Sequence, residues 1–230
     1  MGRQKIRPAA STMRFSAVGS RVDIPNNSQI SSMYNAMTFR ALVKRASTQR
    51  TSNEYLLASV SPANWIIRID SLTDGRIRIY IDGSLSLSSA LRLRTGKWED
   101  VAVTMAQTDV NTVRVTSYLA GTLISTVNIA GSMALSGTPS LKLGVASTNA
   151  ATFNGWMSEV MLFNQELTTL QLTDINQNGT TSVAPLMYYK LNEGSGSIAL
   201  DSSDNRYNGT ITNATYDTLD PPYSLRSSIA

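Results

Sequence analysis

Residues 75–81, Gly-Arg-Ile-Arg-Ile-Tyr-Ile, put three isoleucines on one side of an extended chain and Arg76, Arg78 and Tyr80 on the other. Such alternation is what a strand shows in a sheet with one buried and one wet face. The turn residues Asp82-Gly83 come next, and residues 84–94 repeat the pattern through Leu85, Leu87, Leu91 and Leu93, which predicts an antiparallel neighbour. Stretches of the same kind occupy residues 13–18, 36–44, 54–60, 65–70, 98–105, 113–119, 123–129, 141–145, 156–163 and 186–191. Turn-type residues separate nearly all of them, so the chain reads as two packed antiparallel sheets. Residues 167–175 break the pattern. Thr168 and Gln171 stand at capping-box spacing and Asn178-Gly179 can end a helix, which predicts one short helix over an open end of the sandwich. The boundaries that follow are an N-terminal arm over 1–12, a single domain over 13–219 and a tail over 220–230 that starts Asp-Pro-Pro.

A length of 230 residues, 42% of them hydrophobic, suffices for one sizeable core. The chain has no cysteine and no histidine, which excludes disulfides, Cys/His zinc sites, catalytic thiols, Ser-His-Asp triads and imidazole switches. Its apolar runs fall well short of the roughly 20 residues a membrane-crossing helix needs, so no membrane span is expected. The first residues carry no apolar stretch after their basic start, so no secretory signal is expected either. The net charge of +4 is unevenly spread: nine of the 20 basic residues, but only one acid, Asp23, lie within the first 50 positions. A basic leading segment suits a solvated arm or an acidic neighbouring subunit. Nucleic acid is disfavoured, because no aromatic residue stands among Arg3, Lys5 and Arg7 to stack on bases.

Several ordered segments are similar to those of the laminin-G-like, concanavalin A-like jelly-roll family. Met13-Arg14-Phe15-Ser16 with Val22-Asp23-Ile24-Pro25 resembles its opening strand pair, and Met37 to Lys44 the strand after it. Residues 95–104, Thr-Gly-Lys-Trp-Glu-Asp-Val-Ala-Val-Thr, resemble the family's G-x-W-x-x-V-A-x-T strand, and Tyr118-Leu119-Ala120-Gly121-Thr122-Leu123 its Y-x-x-G-x-L hairpin. Leu141 to Gly144 and Phe153 to Asn164 resemble its L-x-I-G and F-x-G-x-I-x-E-V-x-I-Y-N blocks. A further segment, Leu191-Asn192-Glu193-Gly194-Ser195-Gly196 with Asp201 to Ile211, resembles an L-x-E-G-x-G … D-S-S-G-N-x-N-G-T element that often precedes the rest of the domain and here comes last. The resemblance implies an all-β, two-sheet antiparallel jelly-roll sandwich of concanavalin A-like type with one short helix. It also implies that the late segment shares a body with the first strands, since nearby termini tolerate such a rearrangement.

Folds of this type house glycoside hydrolases as well as lectins. A retaining glycosidase needs two carboxyl groups about 5 Å apart, and no Glu-x-Asp-x-x-Glu occurs, while Glu99 and Asp100 are adjacent and face opposite sides of a strand. No enzymatic activity is therefore expected. Calcium is the candidate metal, because Asp201, Asp204, Asn205 and Asn208 gather hard oxygen donors within eight residues; the resemblance adds that this segment sometimes lies near bound calcium. Asp70, Asp74 and Asp82 form a weaker acidic set. The candidate ligand site is the row Arg76, Arg78, Tyr80, Arg92 and Arg94, with Lys97 nearby, whose guanidinium forks suit acidic glycans or a partner's carboxylates. Tyr34, Tyr55, Tyr118 and Tyr207 are further candidates for stacking on sugars. The first functional expectation is a non-enzymatic structural or recognition module of a virion, a phage decoration, capsid-associated or fibre protein assembled through its terminal arms as subunits of a larger assembly, homo-oligomers included. The alternative is a carbohydrate-binding, lectin-like module at an extracellular surface.

Overall fold

The computed structural model describes residues 11–46, 53–60, 65–70, 75–81, 84–134 and 139–218. The turn expected at Asp82-Gly83, the acid Asp74, the tail over 220–230 and all but the last two residues of the expected arm lie outside the described residues, as do the side chains of Asp70 and Asp82. Among the described residues, sixteen strands form two antiparallel sheets of eight. In the first sheet lie β1 (Thr12–Phe15), β3 (Ala36–Arg45), β8 (Trp98–Asp109), β9 (Thr112–Leu119), β10 (Thr122–Ala130), β12 (Gly155–Phe163), β13 (Met187–Tyr189) and β16 (Thr215–Asp217). Their order is β10-β9-β8-β3-β12-β1-β16, with β13 also paired to β12. The second sheet holds β2 (Arg21–Ile24), β4 (Glu54–Val60), β5 (Trp65–Asp70), β6 (Arg76–Ile81), β7 (Ser84–Arg92), β11 (Ser140–Leu143), β14 (Ile198–Ala199) and β15 (Gly209–Thr212), in the order β14-β15-β2-β11-β4-β5-β6-β7. This is the all-β sandwich the sequence predicts.

Period-two alternation decides which residues meet between the sheets. Ile77, Ile79 and Ile81 of β6 face Met37, Phe39, Val101, Val103 and Met105 of the first sheet in one continuous core. The core is tied at one end by an ion pair that joins the sheets. Arg45, ending β3, donates from Nη2 to Glu54 Oε2 at 2.9 Å, and the two side chains are 4% and 0% exposed. Arg45 Nη1 also donates to the Leu93 carbonyl at 3.2 Å, while Glu54 Oε1 accepts from the Asn154 backbone at 3.0 Å. Gly75 makes room for this guanidinium: its φ is +74°, and a Cβ there would fall 2.5 Å from Arg45 Nη1.

The late segment is built into both sheets. β16 pairs with β1 and β13 with β12 in the first sheet, while β15 pairs with β2 and β14 with β15 in the second. The stretch from Leu191 to Ile211 therefore shares the body of Phe15, as the resemblance implies. β12 serves two partners on one side, residues 155–157 pairing with β1 and 160–162 with β13, while against β3 its register shifts between Ser158 and Met161, where Glu159 takes a φ of +53°.

One helical turn, α1 (Ser28–Ser31), precedes β3, and the predicted helix forms as α2 (Thr169–Asn178), with a complete Thr168/Gln171 capping box and Gly179 closing it at φ +74°. Its position corrects the expectation. It does not plug an end of the sandwich but lies on the outer face of the first sheet, where Leu167, Leu172 and Ile175 pack on Ala102, Tyr118, Met161 and Phe163. The reason is in β12, where Val160-Met161-Leu162-Phe163 is apolar on both sides, so the outward pair needs a cover. Gly121 lets the helix approach the β9–β10 turn, since a Cβ on it would sit 2.8 Å from the Thr173 backbone. Deeper in the same face, Arg40, 1% exposed, binds both Asp100 carboxylate oxygens, at 2.8 and 2.5 Å. Asp100 and its neighbour Glu99 point to opposite sides of β8, as the alternation requires. Trp98 follows Asp100 to the outer face and adds nothing to the core.

Changing Glu54 to Gln leaves Arg45 buried without its counter-charge. We expect this substitution to lower unfolding free energy by about 3–5 kcal/mol, read by chemical denaturation, with β-rich circular dichroism retained.

Candidate functional site

Strict alternation in β6, and Arg68 standing between Ile67 and Ile69 in β5, make the outer face of the second sheet largely polar, with Ile66 opposite Tyr80. Arg76, Arg78 and Tyr80 all point outward from β6 and are half-buried. The register sets Arg92 of β7 opposite Arg76, and Arg68 of β5 opposite Arg78. Arg68 carries the packing of the cluster. Its Cζ lies 4.3 Å from the centre of the Tyr80 ring and 6.0 Å from that of Tyr55 on β4, and Nη1 reaches the Tyr55 hydroxyl at 3.5 Å. The tyrosine rings hold the guanidinium by cation–π attraction. Farther across the same sheet, Asp23 of β2 binds Arg21 at 2.7 Å, and Lys142 of β11 donates to Asn149 Oδ1 at 2.7 Å.

Four of the five residues expected in the ligand row come together here. Arg94 does not. Its Nε donates to Glu99 Oε1 at 2.7 Å and its backbone N–H to Oε2 at 2.8 Å, which commits it to the seam between β7 and β8. Arg68 and Tyr55 are the members the sequence reading left out of the row. Their signal was present, since Ile67 and Ile69 alternate with Arg68 just as the isoleucines of β6 alternate with its arginines. Of the other tyrosines, Tyr34 is exposed, Tyr118 is buried among the residues beneath α2, and Tyr207 lends its carbonyl to the Tyr189 hydroxyl at 2.5 Å. Burial, and next the nearby Asp201 charge, push the Tyr189 hydroxyl far above its ordinary pKa, so it stays a donor.

The four residues expected to hold calcium do lie in one turn, but the side-chain oxygens of Asp201 and Asn208 are engaged by the chain itself. Asp201 is 2% exposed. Its Oδ1 accepts from the Tyr188 and Ser203 backbones at 2.8 and 2.9 Å, and its Oδ2 from the Tyr207 backbone and the Ser203 hydroxyl at 2.8 and 2.9 Å. Asn208 Oδ1 accepts from the Asp201 backbone at 2.9 Å, Asn205 donates to the Leu186 carbonyl at 2.8 Å, and Asp204 is exposed at the rim. Among the described residues, no three of His, Cys, Asp or Glu stand close enough to share a metal. Asp201 is filled by these four donors. It ties β13 to the turn before β15. Accordingly, Asp201→Ala should cost at least about 3 kcal/mol, because hydrogen bonds to a charged group contribute roughly 1.5–3 kcal/mol each. Millimolar calcium or chelator should leave the melting temperature of the unmodified protein unchanged.

On the first sheet, at the end away from α2, a row of alternating aromatic and basic residues crosses the strands. Trp98, Lys44, Trp156 and Arg14 stand opposite one another on β8, β3, β12 and β1. Arg14 and Lys44 lie 4.9 and 5.2 Å from the Trp156 ring centre, and the indole N–H donates to Asp217 Oδ2 at 3.0 Å. With cations reaching the indole from the strands on either side, the row anchors β1 and the edge strand β16.

A family described as the concanavalin A-like lectin/glucanases superfamily, in its laminin G type, matches residues 16–173. The chain belongs to this family. No curated protein matches the sequence. Among solved structures, a proposed carbohydrate-binding protein from Bacteroides ovatus superposes with a TM-score of 0.69 at 20% identity, covering 94% of this chain and 61% of its own. This member of the family thus spans about three-fifths of that protein's length. A native heptameric SAP-like pentraxin from Limulus polyphemus gives 0.57 at 13% identity, covering 89% of this chain and 96% of its own. A botulinum neurotoxin type C, whose cell entry is described as dependent upon interaction with two ganglioside molecules, gives 0.55 at 16% identity over 79% of this chain and 45% of its own. At such identities the likeness is one of fold. No helix among the described residues is long and apolar enough to cross a membrane.

Proposed function

We propose that the protein is a carbohydrate-binding module that holds an acidic glycan on the outer face of its second sheet and leaves the glycan intact. The observation that carries this reading is the meeting of Arg68, Arg76, Arg78 and Arg92 with Tyr55 and Tyr80 on one face, with no described helix packed over it. Guanidinium forks match the planar oxygen pairs of carboxylates and the oxygens of sulfates. Tyrosine rings beside them offer apolar surface to the C–H face of a sugar. The proposed carbohydrate-binding role of the Bacteroides protein, and the ganglioside dependence of the neurotoxin, support glycan recognition on this fold. Such a module works where acidic glycans are displayed, at an extracellular surface.

Assembly on a virion through the terminal arms was the first expectation from the sequence. It rests on segments beyond the described residues, whereas Ser11 and Thr12, assigned to the arm, are buried in the body. The comparisons favour the glycan reading.

Binding to heparin, polygalacturonate and sialyllactose tests the proposal, measured by calorimetry at two salt concentrations. At least one should bind without release of new reducing ends. Affinity should fall tenfold or more in Arg68→Ala and in Arg78→Ala, and should weaken with salt as exposed charge pairs do. Binding unchanged in both variants, or cleavage of the glycan, would contradict it.

A further inference from the structure

One apolar residue interrupts the arginine face. Ile66 of β5 stands directly opposite Tyr80 of β6 and, on its other side, opposite Ala58 of β4. Ile66 and Tyr80 are half-buried, so each keeps surface open to solvent, while Ala58 is buried. This row runs beside that of Arg78, Arg68 and Tyr55, which stand opposite one another on β6, β5 and β4. Successive residues on one face of a strand are about 7 Å apart, so a cationic row and an apolar row lie side by side at that separation.

A lone apolar side chain on a surface calls for no explanation. The placement of this one does. Arg68 is its neighbour on the outer side of β5, and the Arg68 guanidinium is fixed by the Tyr80 ring at 4.3 Å and the Tyr55 hydroxyl at 3.5 Å. A fork already held in place loses little freedom when it takes an anion. Arg78 faces Arg68 across the strands, and like charges directly opposite destabilise a sheet; an anion shared between them relieves the repulsion. An anion held there places the adjoining part of its molecule within reach of Tyr80 and Ile66. The farther half of this outer face is different, since Asp23 binds Arg21 at 2.7 Å and Lys142 donates to the Ser147 carbonyl and Asn149 Oδ1 at 3.2 and 2.7 Å.

The two rows together describe an anion with an apolar group a ring's width away. In a plain uronic acid the ring position facing Ile66 carries a hydroxyl, which loses hydration there without gaining a partner. A sugar that bears both a carboxylate and an N-acyl group is suited instead. In nonulosonic acids and in N-acylated hexosaminuronic acids these two groups sit on ring carbons opposite each other, so the carboxylate meets the arginines while the acyl methyl lies on Ile66. One methyl group taken out of water is worth roughly fourfold in affinity.

We propose that the arginine face selects acidic sugars that carry an N-acyl group, with Ile66 as the residue that reads the acyl methyl. This inference rests on the acidic-glycan reading of the same face and names the sugar it takes.

The test is an NMR titration of the full chain, labelled at the isoleucine methyl groups, with two charge-matched pairs of methyl glycosides. One pair is N-acetylneuraminic acid and its deaminated counterpart, which has a hydroxyl in place of the acetamido group; the other is N-acetylmannosaminuronic acid and mannuronic acid. In at least one pair the acylated member should bind threefold or more tightly, with a nuclear Overhauser contact between its acetyl methyl and Ile66. Ile66→Thr, which keeps a β-branched side chain on the strand, should bring that ratio close to one, and Arg68→Ala should weaken both members tenfold or more. The pair that shows the preference tells nonulosonic from hexosaminuronic acids. Equal binding within both pairs, no contact at Ile66, or an unchanged ratio in Ile66→Thr overturns the inference and leaves the acidic-glycan reading standing. If no acidic ligand binds at these strands, heparin and polygalacturonate included, that reading fails and the inference with it. Should Ile66→Thr not fold, the ratio and the contact in the unmodified protein decide.

Discussion

Two stacked sheets bury their facing surfaces and leave two others to the solvent, and the pattern of apolar residues on each strand dictates how each outer surface is treated. In β12 the run Val160-Met161-Leu162-Phe163 is greasy on both sides. Val160 and Leu162 enter the common core, while Met161 and Phe163 would face water without the cover given by Leu167, Leu172 and Ile175. In β6 isoleucine alternates with arginine or tyrosine, and in β5 Arg68 stands between Ile67 and Ile69, so one side is buried and the other stays largely wet. The helix goes where the sheet is apolar, and the recognition surface remains where it is polar. The candidate site follows from that division, as a charged face on the sheet that no described helix covers.

Closure of the sandwich depends on residues far apart in sequence. The family match ends at residue 173, yet β13 to β16 complete both sheets beside β1 and β2. A family element found early in other chains can stand late in this one because its neighbours in space are the first strands of the domain. The Asp201 turn then acts as a clasp, its carboxylate filled by donors of residues 188, 203 and 207. At the opposite end, the Arg45–Glu54 pair joins the sheets through two ends of strand that would otherwise part at the loop between them. In both places buried charge is satisfied by the chain, so these acids are structural rather than ligand-holding.

Much of the architecture was legible because strands with one wet face carry their geometry in the sequence. The bounds Glu54–Val60 and Trp65–Asp70 are those the alternation predicts, and the capping box at Thr168 and Gln171 forms as its spacing requires. The arginine row was visible for the same reason. What escaped depends on tertiary position. Short strands such as Thr215–Asp217 have too few residues to show a period. The helix was recognised but misplaced, since the run in β12 that calls for a cover was read only as a strand. Arg94 has the parity of Arg92, and only the approach of Glu99 across the seam takes it from the row. Asp201 and Asn208 resemble cation ligands in composition, and only the direction of each donor shows their oxygens already in use.

The central claim is that the uncovered, polar face of the second sheet is where an acidic glycan sits. Hydrogen-exchange mass spectrometry with and without saturating heparin addresses it most directly, since it maps contact on the intact protein without substitutions. The account predicts slowed exchange in peptides spanning residues 54–60, 65–70 and 76–81, with the strands and helix of the first sheet unchanged. Protection confined to the first sheet, or to the basic N-terminal segment, would contradict it.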